Sequence, residues 1–486
     1  MVVDTREHDI VVVGCGIAGL SAAVAAQEQG ARVVVLERAP LEERGGNTRY
    51  TPARLRMKSA TELSDDIVDY FAANAGGYLD PSLVHLTSED SKNWPAIVRA
   101  MSFIDPEVVS TFVDEAPKAL AWLGHYGIKI EAVPIPFQTV QPRFSPSGGG
   151  LAMIEALAEA FERKGGRIVY DTAALNLVQN GAGDVIGVQA IGPRNQRTEF
   201  RGRAVILACG GFQGNAEMLT RYIGPKALNL RVVARGSHYN QGEGIRMALN
   251  IGAAPCGDYG NWHASPMDPR SAQPEPQIEI YAYGILVNRH GQRFLDEAPG
   301  SIDAHRERIA REIFLEPDGI GYAIIDAKID DIPYRQKLLR TEVPPITAPT
   351  LAGLAAKLNI PSDALERTVT EFNQGCGTGE FTPLKLDGLR THGVTPPKSH
   401  WARPIVQPPF TAYPIISAIV FTFGGIKVNS RAQVLNIQGD VIPGLYAAGE
   451  TMGTYYKSYV GATSVLKGMT FGRIAGRDAA SRPSAQ

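Results

Sequence analysis

The stretch DIVVVGCGIAGLSAAVAAQEQGARVVVLERA, Asp9 to Ala39, decides the fold. An apolar run, Ile10 to Val13, leads into Gly14, Gly16 and Gly19 in G-x-G-x-x-G spacing. An alanine-rich segment, Ala18 to Gln29, then reads as helix, and a second apolar run, Arg32 to Leu36, reads as strand and ends on Glu37. With 51 glycines in 486 residues the spacing alone would arise by chance roughly 0.6 times in such a chain, so the flanking elements carry the assignment. Strand, turn, helix and strand make a complete βαβ unit with an acid at its end. Gly14 permits the tight turn, Gly16 lets the backbone approach a pyrophosphate, and Gly19 allows the helix to pack close to the strand. The helix N-terminus faces the phosphates, and Glu37 is placed to accept hydrogen bonds from adenosine ribose hydroxyls.

Length and composition bound the rest. A chain of 486 residues exceeds one ordinary core, which predicts two or more domains, and 44% apolar residues is typical of a globular protein. A net charge of −2 gives no electrostatic case for nucleic acid or an acidic membrane surface as a partner. Cys15, Cys209, Cys256 and Cys376 lie far apart, so they supply neither a disulfide framework nor a cluster for zinc, iron–sulfur or haem, and no metal is expected. The opening MVVDTREHDIVVVG carries Asp4, Arg6, Glu7 and Asp9 before a short apolar strand, which reads as neither a signal peptide nor a membrane span. The expectation is a cytoplasmic enzyme with no second redox centre of its own.

Two distant segments echo the opening unit. RGRAVILACGGFQGN, Arg201 to Asn215, reads as a buried strand, Ala204 to Ala208, turning at Gly210 and Gly211. GDVIPGLYAAGE, Gly439 to Glu450, reads as a strand delivering Gly449 and an acid, with helical character in the run to Gly476. The two ends of the chain therefore belong to one cofactor domain, 1–261 and 404–486. A smaller capping domain, 262–403, is inserted between them and ends at the proline-rich crossing PPKSHWARPIVQPP. The expected class is α/β with an α+β cap: a Rossmann-like domain interrupted by a capping domain.

These pieces, in this order, resemble the FAD-dependent fumarate reductase and succinate dehydrogenase flavoprotein family. The motifs that carry the resemblance are the glycine fingerprint, Glu37, RGGNTRY (Arg44 to Tyr50), ACGGF (Ala208 to Phe212), GEGI (Gly242 to Ile245), VNRHGQRFLDE (Val287 to Glu297) and GLYAAGE (Gly444 to Glu450). The resemblance implies FAD, with Gly45, Gly46, Asn47 and Thr48 beside the flavin and Glu450 near the sugar and phosphates. Arg38, Gly210, Gly211, Gly449, Ser464 and Val465 complete the expected cofactor contacts. Members that bind FAD covalently carry a histidine just before the G-G-N loop; Glu43 and Arg44 stand there in this chain, which predicts non-covalent FAD.

The departures bear on substrate. Dicarboxylate reductases of the family carry a histidine and an arginine on the segment after the final G-E, where this chain reads TMGTYYKSYVGATSVLKGMTFG, with Tyr455 and Tyr459 at about those positions. They also place a proton-donating arginine shortly after RF-x-x-E, where this chain has APGSIDAHRER and no arginine before Arg306. The chain is more similar to the tricarballylate dehydrogenase-like branch, in GGNTRYTPARLRM, RFSPSGGGLAMIEAL and NWHASPMD, and its C-terminal segment is also similar to the 3-ketosteroid dehydrogenases. Both branches remove hydrogens from adjacent carbons beside a carbonyl or carboxylate.

Such chemistry needs a proton base, a donor for the developing enolate oxygen, and a hydride acceptor. Tyr459 is the first candidate for the proton or enolate role, with Tyr455 behind it, and His263 is placed to donate to a carboxylate or enolate. Arg143 and one of Arg49, Arg54 or Arg56 are candidates to hold a carboxylate, because a guanidinium offers two parallel donors. The expected function is an FAD-dependent dehydrogenase forming, or reducing, a C=C bond α,β to a carboxylate or ketone of a small organic acid. The electron acceptor is external: a quinone, a partner protein or oxygen. A ketosteroid-type desaturase of a cyclic ketone, a catalytically silent flavin-binding protein and an oxygen-inserting hydroxylase are the alternatives.

Overall fold

The protein is described from a computed structural model covering residues 4–59, 61–73, 105–133 and 143–483. Its central six-stranded sheet runs in the order Gln433–Leu435, Val441–Ala447, Ala204–Leu207, Ile10–Val13, Val33–Leu36, Arg167–Val169. All neighbours are parallel except the first pair. IVVV, VVVL and AVIL are apolar without alternation because both faces of a parallel sheet are covered. All three strands are buried along their length. The Ala204–Leu207 strand sits between the N-terminal strand and the Val441–Ala447 strand, so the two chain ends share one sheet.

The ends are also joined helix to helix. The helix Ile17–Glu28 packs along the C-terminal helix Ser464–Ser481. A Cβ on Gly472 would sit 2.2 Å from the Ala18 carbonyl oxygen, and one on Gly476 would sit 2.1 Å from that of Ala22. Glycines four apart fall on one helix face, so the backbones touch where side chains would otherwise hold them apart. A four-stranded sheet, Asp4–Glu7, Arg197–Arg201, Val185–Ile191 and Ala173–Gln179, contributes Val185, Val188 and Ala190 to the same core.

A second six-stranded sheet forms the capping layer. The 13-residue strand Phe410–Thr422 pairs with Arg231–Val232, Trp262–Met267, Ile320–Ile325 and Ile346–Ala348, and Ile285–Val287 continues beyond Ile320–Ile325. This layer thus draws on residues on both sides of the 262–403 segment. Its apolar centres, one around Tyr281, Ile313 and Ile415 and the other around Leu354, Phe372 and Ala412, are separate from the core under the parallel sheet. Among the described residues no helix is long and apolar enough to cross a membrane.

Candidate active site

The cradle begins where the first strand ends. Gly14 has φ +104°, and a Cβ there would lie 2.4 Å from the Ala208 carbonyl oxygen, so the turn between the two central strands accepts only glycine. A Cβ on Gly19 would lie 1.9 Å from the Gly14 oxygen, which makes Gly19 the close-packing residue rather than a wall of the cavity. Gly16 is the opposite case: its position is open, with Gly45 O and Thr48 Oγ1 almost 4 Å away. That open backbone at a helix N-terminus suits a pyrophosphate.

Glu37 is buried and holds the turn together: one carboxylate oxygen accepts from Cys15 N–H at 2.7 Å and the other from Ala39 N–H at 2.8 Å. Burial raises its pKa, and these backbone donors offset part of that rise. A carboxylate has about four acceptor sites, so two lone pairs are left for ribose hydroxyls. Arg38 is tied to Glu243 of the GEGI motif, and both line the cavity.

The G-G-N loop forms the other side. Asn47 Nδ2 donates to the Val420 carbonyl at 2.8 Å and its Oδ1 accepts from Ser237 Oγ at 2.5 Å, fastening the loop to the capping sheet. Glu450 accepts from Thr422 N–H at 2.9 Å and from Gln213 Nε2 at 3.3 Å. A Cβ on Gly211 would lie 2.3 Å from the Glu450 carboxylate, so that glycine makes room for the acid. Burial pushes Glu450 up to about 7 and pushes the neighbouring Lys467 ammonium down to about 7. Lys467 donates to Thr454 Oγ1 at 2.6 Å and lies 4.6 Å from the centre of the Tyr455 ring.

The cavity, about 300 Å³, runs from this cradle to the cap and also receives Gly45, Gly46, Thr48, Gly210, Gly449, Ser464, Val465, Tyr455, Tyr459, His263 and Arg54. Arg143 contributes backbone to the strand Arg143–Pro146; its side chain lies outside the described residues. Glu43 and Arg44, before the loop, are engaged elsewhere: Glu43 with Arg235 and Tyr239, Arg44 with Glu155 and Tyr170.

At the cap end His263 packs against Tyr459 with ring centres 4.4 Å apart. His263 Nδ1 is 2.7 Å from Glu307 Oε2, and Arg311 bonds the other Glu307 oxygen at 2.9 Å. Burial alone would raise the Glu307 carboxyl, but hydrogen bonds and charge from His263 and Arg311 bring it below the ordinary range, so it is ionised. The Tyr459 oxygen accepts from the N–H groups of Thr463 and Ser464, at 2.9 and 3.0 Å, and its hydroxyl donates to Ser464 Oγ at 3.1 Å. It therefore occupies the start of the C-terminal helix. Tyr455 is buried, 2.8 Å from Thr463 Oγ1, and burial raises its pKa well above that of a free phenol.

Glu307, Arg306, Arg340, Gln277 and Lys467 escaped the sequence reading. Arg306 and Glu307 are adjacent on the helix Ile302–Leu315, yet one pairs with Glu279 and the other with His263. The i,i+4 spacing of Glu307 and Arg311 was the visible signal, and it reads equally well as a solvated helix face.

A dinucleotide cradle on a parallel sheet opens into a cavity lined by a histidine, tyrosines and arginines, an arrangement that suits a flavin dinucleotide. The family described as FAD binding domain matches residues 9–465; the chain belongs to it, and FAD is the dinucleotide its cradle takes. The NADH:acrylate oxidoreductase of Vibrio harveyi is 27% identical over 524 residues, an alignment covering 97% of this chain and 50% of that protein. The chain thus spans about half the length of that relative. The open conformation of a flavocytochrome c3 fumarate reductase superposes with a TM-score of 0.75 at 23% identity, covering 98% of this chain and 78% of that one. The 3-ketosteroid-Δ4-(5α)-dehydrogenase of Rhodococcus jostii RHA1, in complex with 4-androstene-3,17-dione, gives a TM-score of 0.69 at 25% identity, covering 98% and 97%.

Proposed function

We propose that this chain is an oxidoreductase with non-covalent FAD that forms or reduces a C=C bond next to a carboxylate or ketone of a small organic molecule. The observation that carries the reading is His263, packed against Tyr459 and anchored to Glu307, in the same cavity as the cradle. FAD, when bound, supplies the two-electron chemistry. With Nδ1 committed to the ionised Glu307, Nε2 is the ring atom left to take a proton from a carbon beside the carbonyl or to return one, and Glu307 stabilises the imidazolium that results. The hydroxyl of Tyr459, already bonded to three groups at the helix start, supports a positioning role: its ring orients the imidazole. Tyr455 stays protonated, and with Phe421 and Phe423 it keeps water from the reacting end.

The cyclic-ketone alternative draws support from the dione bound to the structural relative and from the aromatic wall of the cavity. One experiment addresses both. The yellow protein is mixed anaerobically with saturated acids and cyclic ketones, and the dithionite-reduced protein with their unsaturated counterparts, while flavin absorbance is followed. Bleaching or reoxidation by members of one set identifies the class, and inertness toward both sets defeats the oxidoreductase reading. Acid precipitation of the same sample is expected to release FAD into the supernatant; flavin that pellets with the chain defeats the non-covalent assignment.

A further inference from the structure

The cavity wall carries charged groups that neither the cradle nor His263 uses. Arg306 pairs with Glu279 at 3.2 Å and Arg340 with Glu275 at 3.6 Å, each flanking cation thereby having its own carboxylate. Asp303, on the same wall, is also engaged. Arg54 differs: among the described residues it makes no hydrogen bond or ion pair, yet its side chain lines the cavity beside these groups. Burial, together with the positive fields of Arg340 and Arg306, lowers its pKa to about 10, with Glu279 and Glu275 offsetting part of that fall, so it stays protonated at neutral pH. A half-buried guanidinium with no directly bonded carboxylate is matched by a carboxylate that fits its fork, whereas a neutral ketone leaves it without a direct partner.

Gln277 donates to Ser265 Oγ at 3.0 Å and leaves its amide oxygen, an acceptor, buried without a partner on the same wall, where it suits a ligand hydroxyl. A second cleft shares Tyr50, Thr51, Pro52, Glu275 and Arg340 with the cavity, so a ligand entering there passes the Arg340–Glu275 pair before reaching Arg54. The C-terminal segment, by contrast, offers Tyr455 and Tyr459, both already hydrogen-bonded, and Lys467, whose ammonium is committed to Met452 O and Thr454 Oγ1.

We propose that Arg54 is the carboxylate-recognition residue of this cavity, and that the substrate is an organic anion with one carboxylate seated on Arg54 rather than on the segment around Tyr455 and Tyr459. This deepens the oxidoreductase reading above and rests on it only for what happens at the other end of the molecule.

The test is equilibrium binding to the oxidised, FAD-loaded protein, read by flavin absorbance perturbation and thermal shift. The probes are propionate, succinate and tricarballylate against their methyl esters and cyclohexanone, at matched chloride. At least one carboxylate is expected to bind while its ester does not. Arg54→Gln should weaken that carboxylate roughly 10- to 100-fold, the scale of a lost charged hydrogen bond, with FAD content unchanged. Arg54→Lys should recover part of the loss, keeping the charge without the fork. Equal carboxylate affinity in wild type and Arg54→Gln overturns the proposal. So does a wild-type protein that binds cyclohexanone or the esters but none of the acids, an outcome needing no variant to fold. If the acids bind through Arg54 but exchange no electrons with the flavin, the binding proposal stands and the oxidoreductase reading falls.

Discussion

The floor and the roof of the cavity recognise their ligands by different means. The floor works with backbone: Gly14, Gly16 and Gly19 shape a turn, a helix end faces the cavity, and the acid at the end of the second strand, Glu37, is held by two main-chain N–H groups. The roof works with side chains gathered from separate elements, His263 from a strand, Glu307 and Arg306 from a helix, Arg340 and Arg54 from loops. Backbone recognition is local, tied to one βαβ unit, and insensitive to what surrounds it. Side-chain recognition depends on the cap being seated, and it is where members of one fold diverge in chemistry.

That contrast breaks most sharply at His263. His263→Gln is expected to lower the rate of flavin reduction, or of reoxidation, by the active acid or ketone about 10²–10⁴-fold, the scale of general acid–base help, with FAD retained. Tyr459→Phe should cost far less, about tenfold at most, because the hydrogen bonds it removes are neutral and lie at the helix start, while the ring stays against the imidazole. Anaerobic rapid mixing of the two variants decides the order. A larger loss in Tyr459→Phe makes the tyrosine the proton-transfer group and His263 its support.

On the floor, the expected effect is on affinity. Glu37→Ala removes a charged acceptor and should weaken FAD binding by about 1.5–3 kcal/mol, with the rate at saturating FAD unchanged. Fluorescence titration of flavin-free protein measures the first, and flavin reduction at saturation the second. A rate loss without an affinity loss would erase the division between floor and roof.

The smallest effect is expected where the two meet, at Glu450. Because burial raises this carboxyl from 4.5 to about 7, the flavin-free folded protein keeps a proton that the unfolded chain has already released. Stability is therefore highest below this window and falls as pH rises through it. Lys467, lowered from 10.5 to about 7, acts above it, so stability recovers as pH climbs toward 10.5. Thermal melts of flavin-free wild type and Glu450→Gln across both windows test this: the variant should lose the acidic limb of the trough and keep the alkaline one. Identical profiles would mean that Glu450 is ionised throughout.

Much of the fold was legible because its signals are short-ranged. The strand at Ala204 ends one residue earlier than its apolar run suggests, and the first helix is shifted by one residue, Ile17–Glu28 instead of Ala18 to Gln29. These differences follow from hydrogen bonding at element ends, where composition is silent. The glycine stripe Gly468, Gly472 and Gly476 was visible as letters, but its partner, Ala18 and Ala22 at the far end of the chain, was not.

By itself the sequence determined the glycine turn, the acid at its end, the parallel core strands and the G-G-N loop, since each depends on residues a few positions apart and on backbone geometry that glycine permits. Only the tertiary structure decided that Glu307 anchors His263, that Tyr459 turns its hydroxyl to a helix start, and that Arg54, among the described residues, makes no direct ion pair where Arg306 and Arg340 each make one. The physical reason is that charge pairing and imidazole orientation are set by distances of a few ångströms between segments far apart in the chain, and nothing in residue order encodes those distances.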